Sequence, residues 1–145
     1  MQMLRQAGYG GRVVPVNTNG GTIFGYESVT SIAAIDPPVD LAVIVIRPDV
    51  ILDAAEEAAD CRITNLLILP DGFAEAGPIG VQRNEELTKL AAARGLTVAG
   101  PNCAGIIHPA WRFAATFLRD LPPVSVRCRR RGRHRQGQCA RPAAQ

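Results

Sequence analysis

Apolar residues in this chain come in short unbroken runs separated by polar, glycine- and proline-rich stretches. The strongest run is residues 41–46, Leu-Ala-Val-Ile-Val-Ile, with no polar alternation. That pattern predicts a strand covered on both faces. Residues 66–69 (Leu-Leu-Ile-Leu) and 96–99 (Leu-Thr-Val-Ala) predict two more strands. Between the first two, Val50, Ala54 and Ala58 fall on one helical face with Ile51 and Ala55 beside them, and Asp49 stands where an N-cap would. Between the last two, Leu87, Leu90 and Ala91 recur at helical spacing over residues 81–94, and Gly95 is placed to end the helix. Strand, helix, strand, helix, strand predicts a parallel sheet with covering helices.

The chain ahead of this unit is less regular. Residues 1–6 suit a short helix that Gly8, Gly10 and Gly11 end. Residues 12–16 (Arg-Val-Val-Pro-Val) predict a strand that Pro15 stops or confines to an edge. Residues 17–21 (Asn-Thr-Asn-Gly-Gly) predict a loop, residues 22–26 a short extended piece, and residues 27–34 one or two helical turns.

In a parallel sheet of this kind, ligands bind beyond the carboxyl ends of the strands. Four segments are expected there: 17–21, 47–48, 70–73 and 100–105. Each is rich in Gly, Pro, Asn or Asp. A single such segment is an ordinary turn; four on one rim predict a pocket for an elongated polar ligand. The most distinctive is Gly100-Pro101-Asn102-Cys103-Ala104-Gly105, where two glycines and a proline hold Asn102 and Cys103 on a tight loop.

Composition narrows the classes. The chain has 145 residues and ordinary apolar content, which predicts one domain able to build a core. No apolar run reaches the roughly 18 residues of a membrane span, and the N-terminus lacks a hydrophobic signal core, so a cytoplasmic protein is expected. The four cysteines show no CxxC and no zinc-like spacing with His108 or His134, so no metal site is expected. The net charge of +3 hides an asymmetry. Up to Pro123 there are nine basic and thirteen acidic residues, net −4, whereas beyond it seven arginines stand with no acid, net +7. Residues 1–123 are therefore expected to be the folded domain and 124–145 a basic, disordered tail. A nucleic-acid arm is disfavoured for the tail, which has no interleaved aromatics.

The segments 14–17 (Val-Pro-Val-Asn), 20–25 (Gly-Gly-Thr-Ile-Phe-Gly), 38–44 (Pro-Val-Asp-Leu-Ala-Val-Ile), 71–75 (Asp-Gly-Phe-Ala-Glu) and 100–106 (Gly-Pro-Asn-Cys-Ala-Gly-Ile), in this order, resemble the CoA-binding domain of the NDP-forming acyl-CoA synthetases, of the acetate–CoA ligase and succinyl-CoA synthetase α-subunit type. The resemblance spans about residues 8–121. It implies a Rossmann-like, doubly wound parallel sheet and coenzyme A as ligand. It also implies that Val16 and Asn17 with the following Asn19, Gly20 and Gly21 face the adenosine end. Pro48, Asp71 and Gly72 would flank the pantetheine arm, with Asn102 and Cys103 near the thiol. For Cys103 a contact or packing role is expected over nucleophilic attack, and no catalytic residue is assigned.

The complete family enzyme joins an acid to CoA with a nucleoside triphosphate, giving acyl-CoA, NDP and phosphate. ATP/ADP and Mg belong to domains this sequence lacks, so the chain is expected to be inactive alone and to partner the remaining ligase domains or subunit. Three departures stand out. Thr18-Asn19 replaces a frequent Pro-Lys, which removes a phosphate cation there; Arg12 and Arg47 are the alternatives, though an ordinary exposed surface arginine is the expected reading of each. The family's first strand and Gly-rich loop would precede Met1; without that central strand, exposed strand edges, self-association and marginal stability are expected. Past Pro123 the sequence leaves the family pattern, as a frameshift product would.

Two rival readings remain: a stand-alone, non-enzymatic CoA-binding module, and an NAD-type dinucleotide domain. The second lacks a GxGxxG opening a helix after a strand.

Overall fold

The computed structural model describes residues 1–118. At its centre three parallel strands pair in the order β3–β4–β5: β3 is Ala42–Ile44, β4 Asn65–Ile68 and β5 Thr97–Ala99. Ala42 sits opposite Leu66 and Ile44 opposite Ile68; Asn65 sits opposite Thr97 and Leu67 opposite Ala99. Helix α2 (Ile51–Asp60) joins the first pair and α3 (Pro78–Arg94) the second. This is the α/β parallel-sheet architecture the sequence predicts.

The core follows from the strand period of two and the helix period of 3.6. Ile44, Leu66 and Ile68 meet Ile51, Ala55 and Ala58 of α2 and Leu87 of α3, with Ile63 and Phe73 completing one buried cluster. Leu67 points the other way and is also fully buried. Gly95 ends α3 in the left-handed conformation, as expected of a glycine there, and the next N–H, of Leu96, donates back to the Ala91 carbonyl at 2.9 Å.

Several expectations are corrected. Residues 41–46 are not covered on both faces: Val43 is 39% and Val45 66% exposed, and the strand is only Ala42–Ile44. β3 is an edge of the described sheet, and an apolar run by itself does not supply a second covering layer. Residues 12–16 form no strand beyond a single parallel bridge between Val16 and Val29. A strand needs a neighbour to complete its ladder, and here Arg12 instead donates to the carbonyls of Asp36 and Pro37. Within residues 27–34 the helical part is a single 3-10 turn, Ile32–Ala34, while Glu27 and Val29 are extended and paired. Asp49 does not cap α2 with its side chain; it lies inside a 3-10 turn, Pro48–Val50, that leads into the helix. α3 begins three residues earlier than expected, with Pro78 at its first turn, a position that loses no helical hydrogen bond.

Around this unit lie a short helix, α1 (Gln2–Ala7), and two hairpins. The first pairs β1 (Thr22–Ile23) with β2 (Tyr26–Glu27); the second pairs β6 (Gly105–His108) with β7 (Phe113–Thr116). α1 packs on β7, where Tyr9 meets the ring of Phe113 edge to face at 5.2 Å. His108 is exposed and stacks on Trp111 at 4.3 Å. The proposed basic tail, including His134, lies outside the described residues.

Candidate functional site

Each of the three parallel strands ends in a turn, and the three turns touch. After β3, Arg47 is extended, as the residue before a proline should be. Pro48 then starts the 3-10 turn, and its ring lies against the turn that follows β4. A Cβ on Gly72 would come within 2.6 Å of Pro48 Cγ, so only glycine allows the two turns to approach this closely.

The turn after β4 is anchored from below and held from within. Phe73 is 1% exposed and joins the core cluster, which fixes the height of Asp71 and Gly72 above the sheet. The Glu75 carboxylate accepts the N–H groups of Gly72 at 2.6 Å and Phe73 at 3.1 Å. Arg83, from α3, donates to the Gly72 carbonyl at 3.1 Å. Gly80, also in α3, lies beneath the Phe73 carbonyl, where a Cβ would overlap it.

The turn after β5 folds back onto the same place. The Asn102 N–H donates to the Pro70 carbonyl at 2.8 Å, and the Cys103 thiol donates to the Ile68 carbonyl at 3.5 Å. Asn102 has φ +52°, a left-handed conformation that asparagine tolerates better than most residues. In the turn after β4 the Glu75 carboxyl is held below its ordinary value, first by its own backbone N–H and that of Phe73, with Gly72 adding to the effect.

The structure thus brings together Pro48, Gly72, Asn102 and Cys103, with Asp71 exposed beside them. Val16 and the Asn17–Gly21 loop form a separate hydrogen-bonded unit. The Asn17 N–H donates to Val29 O at 2.9 Å, and the Asn17 side chain bridges its own loop, donating to Gly20 O at 3.1 Å and accepting from Asn19 N at 3.2 Å. Ser28 closes the loop onto the β1–β2 hairpin through Gly21 O at 2.6 Å. Both polar ends of the Asn17 side chain are engaged in shaping the loop, and Val16 is 43% exposed.

Of the two candidate phosphate cations, Arg12 spends its guanidinium on Asp36 and Pro37 carbonyls. Arg47 is exposed on the rim, paired with Asp49 at 3.3 Å. Among the described residues no three metal-ligating side chains cluster, and no helix is long and apolar enough to cross a membrane. Glu75 and Arg83, the residues that hold the turn after β4, were assigned no role from sequence. The available signal was the placing of Glu75 three residues after Gly72, the reach of a carboxylate that folds back onto a turn.

Comparison with known proteins adds a family and a size. The sequence profile of a family described as CoA binding domain matches residues 1–109. The α subunit of an ADP-forming acetate–CoA ligase II from Pyrococcus furiosus is 32% identical over 109 residues, which are 75% of this chain and 24% of that relative. An ADP-forming 4-hydroxybutyrate–CoA ligase from Nitrosopumilus maritimus is 29% identical over 117 residues, 79% of this chain and 17% of the relative. Among solved structures, a dinucleotide-forming acetyl-coenzyme A synthetase 1 from Ca. Korarchaeum cryptofilum, in complex with phosphate and ADP, superposes with a TM-score of 0.76 at 28% identity. It covers 80% of this chain and 25% of its own. A conserved hypothetical protein from Pyrococcus furiosus superposes at 0.52 and 27% identity over 67% of this chain and 73% of its own. The chain spans about 16–26% of the length of the curated ligases it matches.

Proposed function

Because the chain belongs to the CoA binding domain family, we propose that it binds coenzyme A along the joined turns and serves as the CoA-binding portion of an NDP-forming acid–thiol ligase. The observation that supports this most directly is the mutual contact of the turns after β3, β4 and β5. CoA is long and thin, and its pantetheine arm carries amides that need a narrow, prearranged surface. Glycine at position 72 and the back-folded Asn102-Cys103 segment provide closely spaced backbone in which added side-chain bulk would be in the way. In this reading Pro48, Asp71 and Gly72 flank the arm and Asn102 and Cys103 lie toward the thiol. Val16, Asn17, Asn19, Gly20 and Gly21 serve the adenosine end as a shaped loop, and Arg47 is the nearer candidate for phosphate.

The ligase reaction itself is assigned to the remainder of a larger assembly, since the region that two of the matching ligases share with this chain is only 24% and 17% of their length. Residues 1–123 act as the CoA-binding domain. The chain alone is expected to show no turnover with acetate, CoA and ATP.

Calorimetric titration of the full chain with CoA and, separately, NAD tests the reading. Binding of CoA with no heat from NAD is the expected result. No CoA binding at millimolar ligand, or preference for NAD, would overturn it. A second reading, a stand-alone CoA-binding module, is favoured by the neighbour of which this fold covers 73%. Turnover, or its appearance on adding a ligase subunit that lacks its own CoA-binding domain, separates the two.

A further inference from the structure

The peptide group between Gly72 and Phe73 is gripped at both of its polar ends by charged side chains. Its carbonyl, that of Gly72, accepts from the Arg83 guanidinium at 3.1 Å. Its N–H, that of Phe73, donates at 3.1 Å to the Glu75 carboxylate, which also takes the Gly72 N–H at 2.6 Å. The two side chains come from different elements, Arg83 from α3 and Glu75 from the 3-10 turn Ala74–Ala76. Among the described residues neither forms an ion pair, so what they share is the peptide between them. The need for such a grip follows from Gly72. Its close approach to Pro48 excludes a Cβ, and the same lack of a Cβ leaves the next peptide free to rotate about the Gly72 ψ torsion. The buried Phe73 ring holds one end of that peptide but does not by itself fix the direction of its carbonyl.

We propose that Arg83 is a positioning residue: acting with Glu75 through the shared peptide, it fixes the orientation of the Gly72-Phe73 unit and so the surface that Gly72 and Pro48 present to the CoA arm. This rests on the CoA-binding reading and gives a role to a helix residue that reading does not place against the ligand. Opposite charges suit the task. A hydrogen bond to a charged group is roughly twice as strong as a neutral one, and a donor at the carbonyl polarises the N–H of the same peptide toward its acceptor. A flipped peptide would turn its carbonyl oxygen to the carboxylate and its N–H to the guanidinium, two repulsive pairings at once. No other charged side chain among the described residues bonds to this peptide.

The test uses the full chain with Arg83→Met, Arg83→Lys, Glu75→Ala and the double variant of Arg83→Met with Glu75→Ala. Each is titrated with CoA and with 3′-phosphoadenosine 5′-diphosphate, which carries the head of CoA without its arm. Arg83→Met is expected to weaken CoA about tenfold, the size of one charge-assisted hydrogen bond. The head fragment should bind as before, and Arg83→Lys, which keeps a cationic donor, should recover part of the loss. The double variant should lose less than the two single variants combined. Wild-type CoA affinity in folded Arg83→Met overturns the proposal. So does an equal loss for both ligands, which marks a phosphate contact or general loosening, and so do strictly additive losses, which mark two independent contacts. A second readout does not depend on CoA. Exchange of the Phe73 amide with deuterated solvent should quicken in Arg83→Met, although Arg83 bonds to the carbonyl and not to that amide. Unchanged exchange refutes the clamp. If wild type fails to bind CoA, the functional reading falls and the exchange measurement still decides the clamp. If Arg83→Met does not fold, Glu75→Ala should shift the Arg83 guanidinium signals in isotope-labelled protein, and unshifted signals refute the coupling.

Discussion

Gly21 and Gly72 hold almost the same backbone angle, φ +91° and +92°, in opposite surroundings. Beside Gly21 a Cβ would meet nothing within 4 Å; beside Gly72 it would strike the Pro48 ring. Both positions demand glycine for conformation, but only one demands it for contact. The loop that contains Gly21 is stabilised by its own asparagine and a hairpin, whereas the turn that contains Gly72 is stabilised by its neighbours on two other strands. Self-held loops tolerate change locally. Interlocked turns transmit it.

The largest effect is expected where the interlocked turns meet the core. Phe73→Ala removes the buried anchor and should cost about 3–5 kcal/mol, read by urea denaturation. A loss under about 1 kcal/mol would show that the turn does not depend on its anchor. Next comes the glycine pair. Gly72→Ala combines left-handed strain with displacement of Pro48, roughly 2–5 kcal/mol, while Gly21→Ala should cost only the strain, roughly 1–2 kcal/mol. Equal losses in the two variants would erase the distinction drawn between them. Asn17→Ala opens the self-held loop and should lose about 1 kcal/mol with little change in the turns after β3, β4 and β5, visible as amide shifts confined to residues near 17–21.

The smallest effect is the most diagnostic of charge. The folded protein holds the Glu75 carboxyl below its unfolded value, so its contribution to stability is complete above that unfolded value. That contribution is lost as pH falls through the folded value. The stability difference between wild type and Glu75→Gln should therefore be constant at neutral pH and shrink on the acid side. A difference that grows on acidification would reverse the sign argued here.

Much of the central unit was legible because helix and strand periods depend on local sequence. Residues 66–69, the Gly95 stop and the 100–105 turn were all readable from apolar runs bounded by glycine and proline. Residues 12–16 were misread because their valines have strand propensity but no adjacent strand with which to form a ladder, and propensity does not supply one. Two-sided burial of residues 41–46 failed for a related reason: Val43 and Val45 are apolar, but exposure depends on layers that the run itself does not encode. The β6–β7 hairpin went unread because its connection, Pro109-Ala110-Trp111-Arg112, contains no Asn-Gly or Asp-Gly signal; Arg112 takes the left-handed position instead. At the candidate site the turn residues were legible one by one, but the contacts of Pro48 with Gly72 and of Asn102 with Pro70 were not, because a contact between two turns is a property of the assembled sheet.

Gly80 carries a further consequence. By letting the Phe73 carbonyl rest on the helix, it makes the 17-residue α3 a strut between the lip formed by the three joined turns and the opposite end of the helix, where Arg94 pairs with Asp60 of α2. A strut seated that closely on its load cannot tilt or slide without raising or lowering what it bears, so the width of the lip is set in part by how α2 and α3 are braced at their opposite ends.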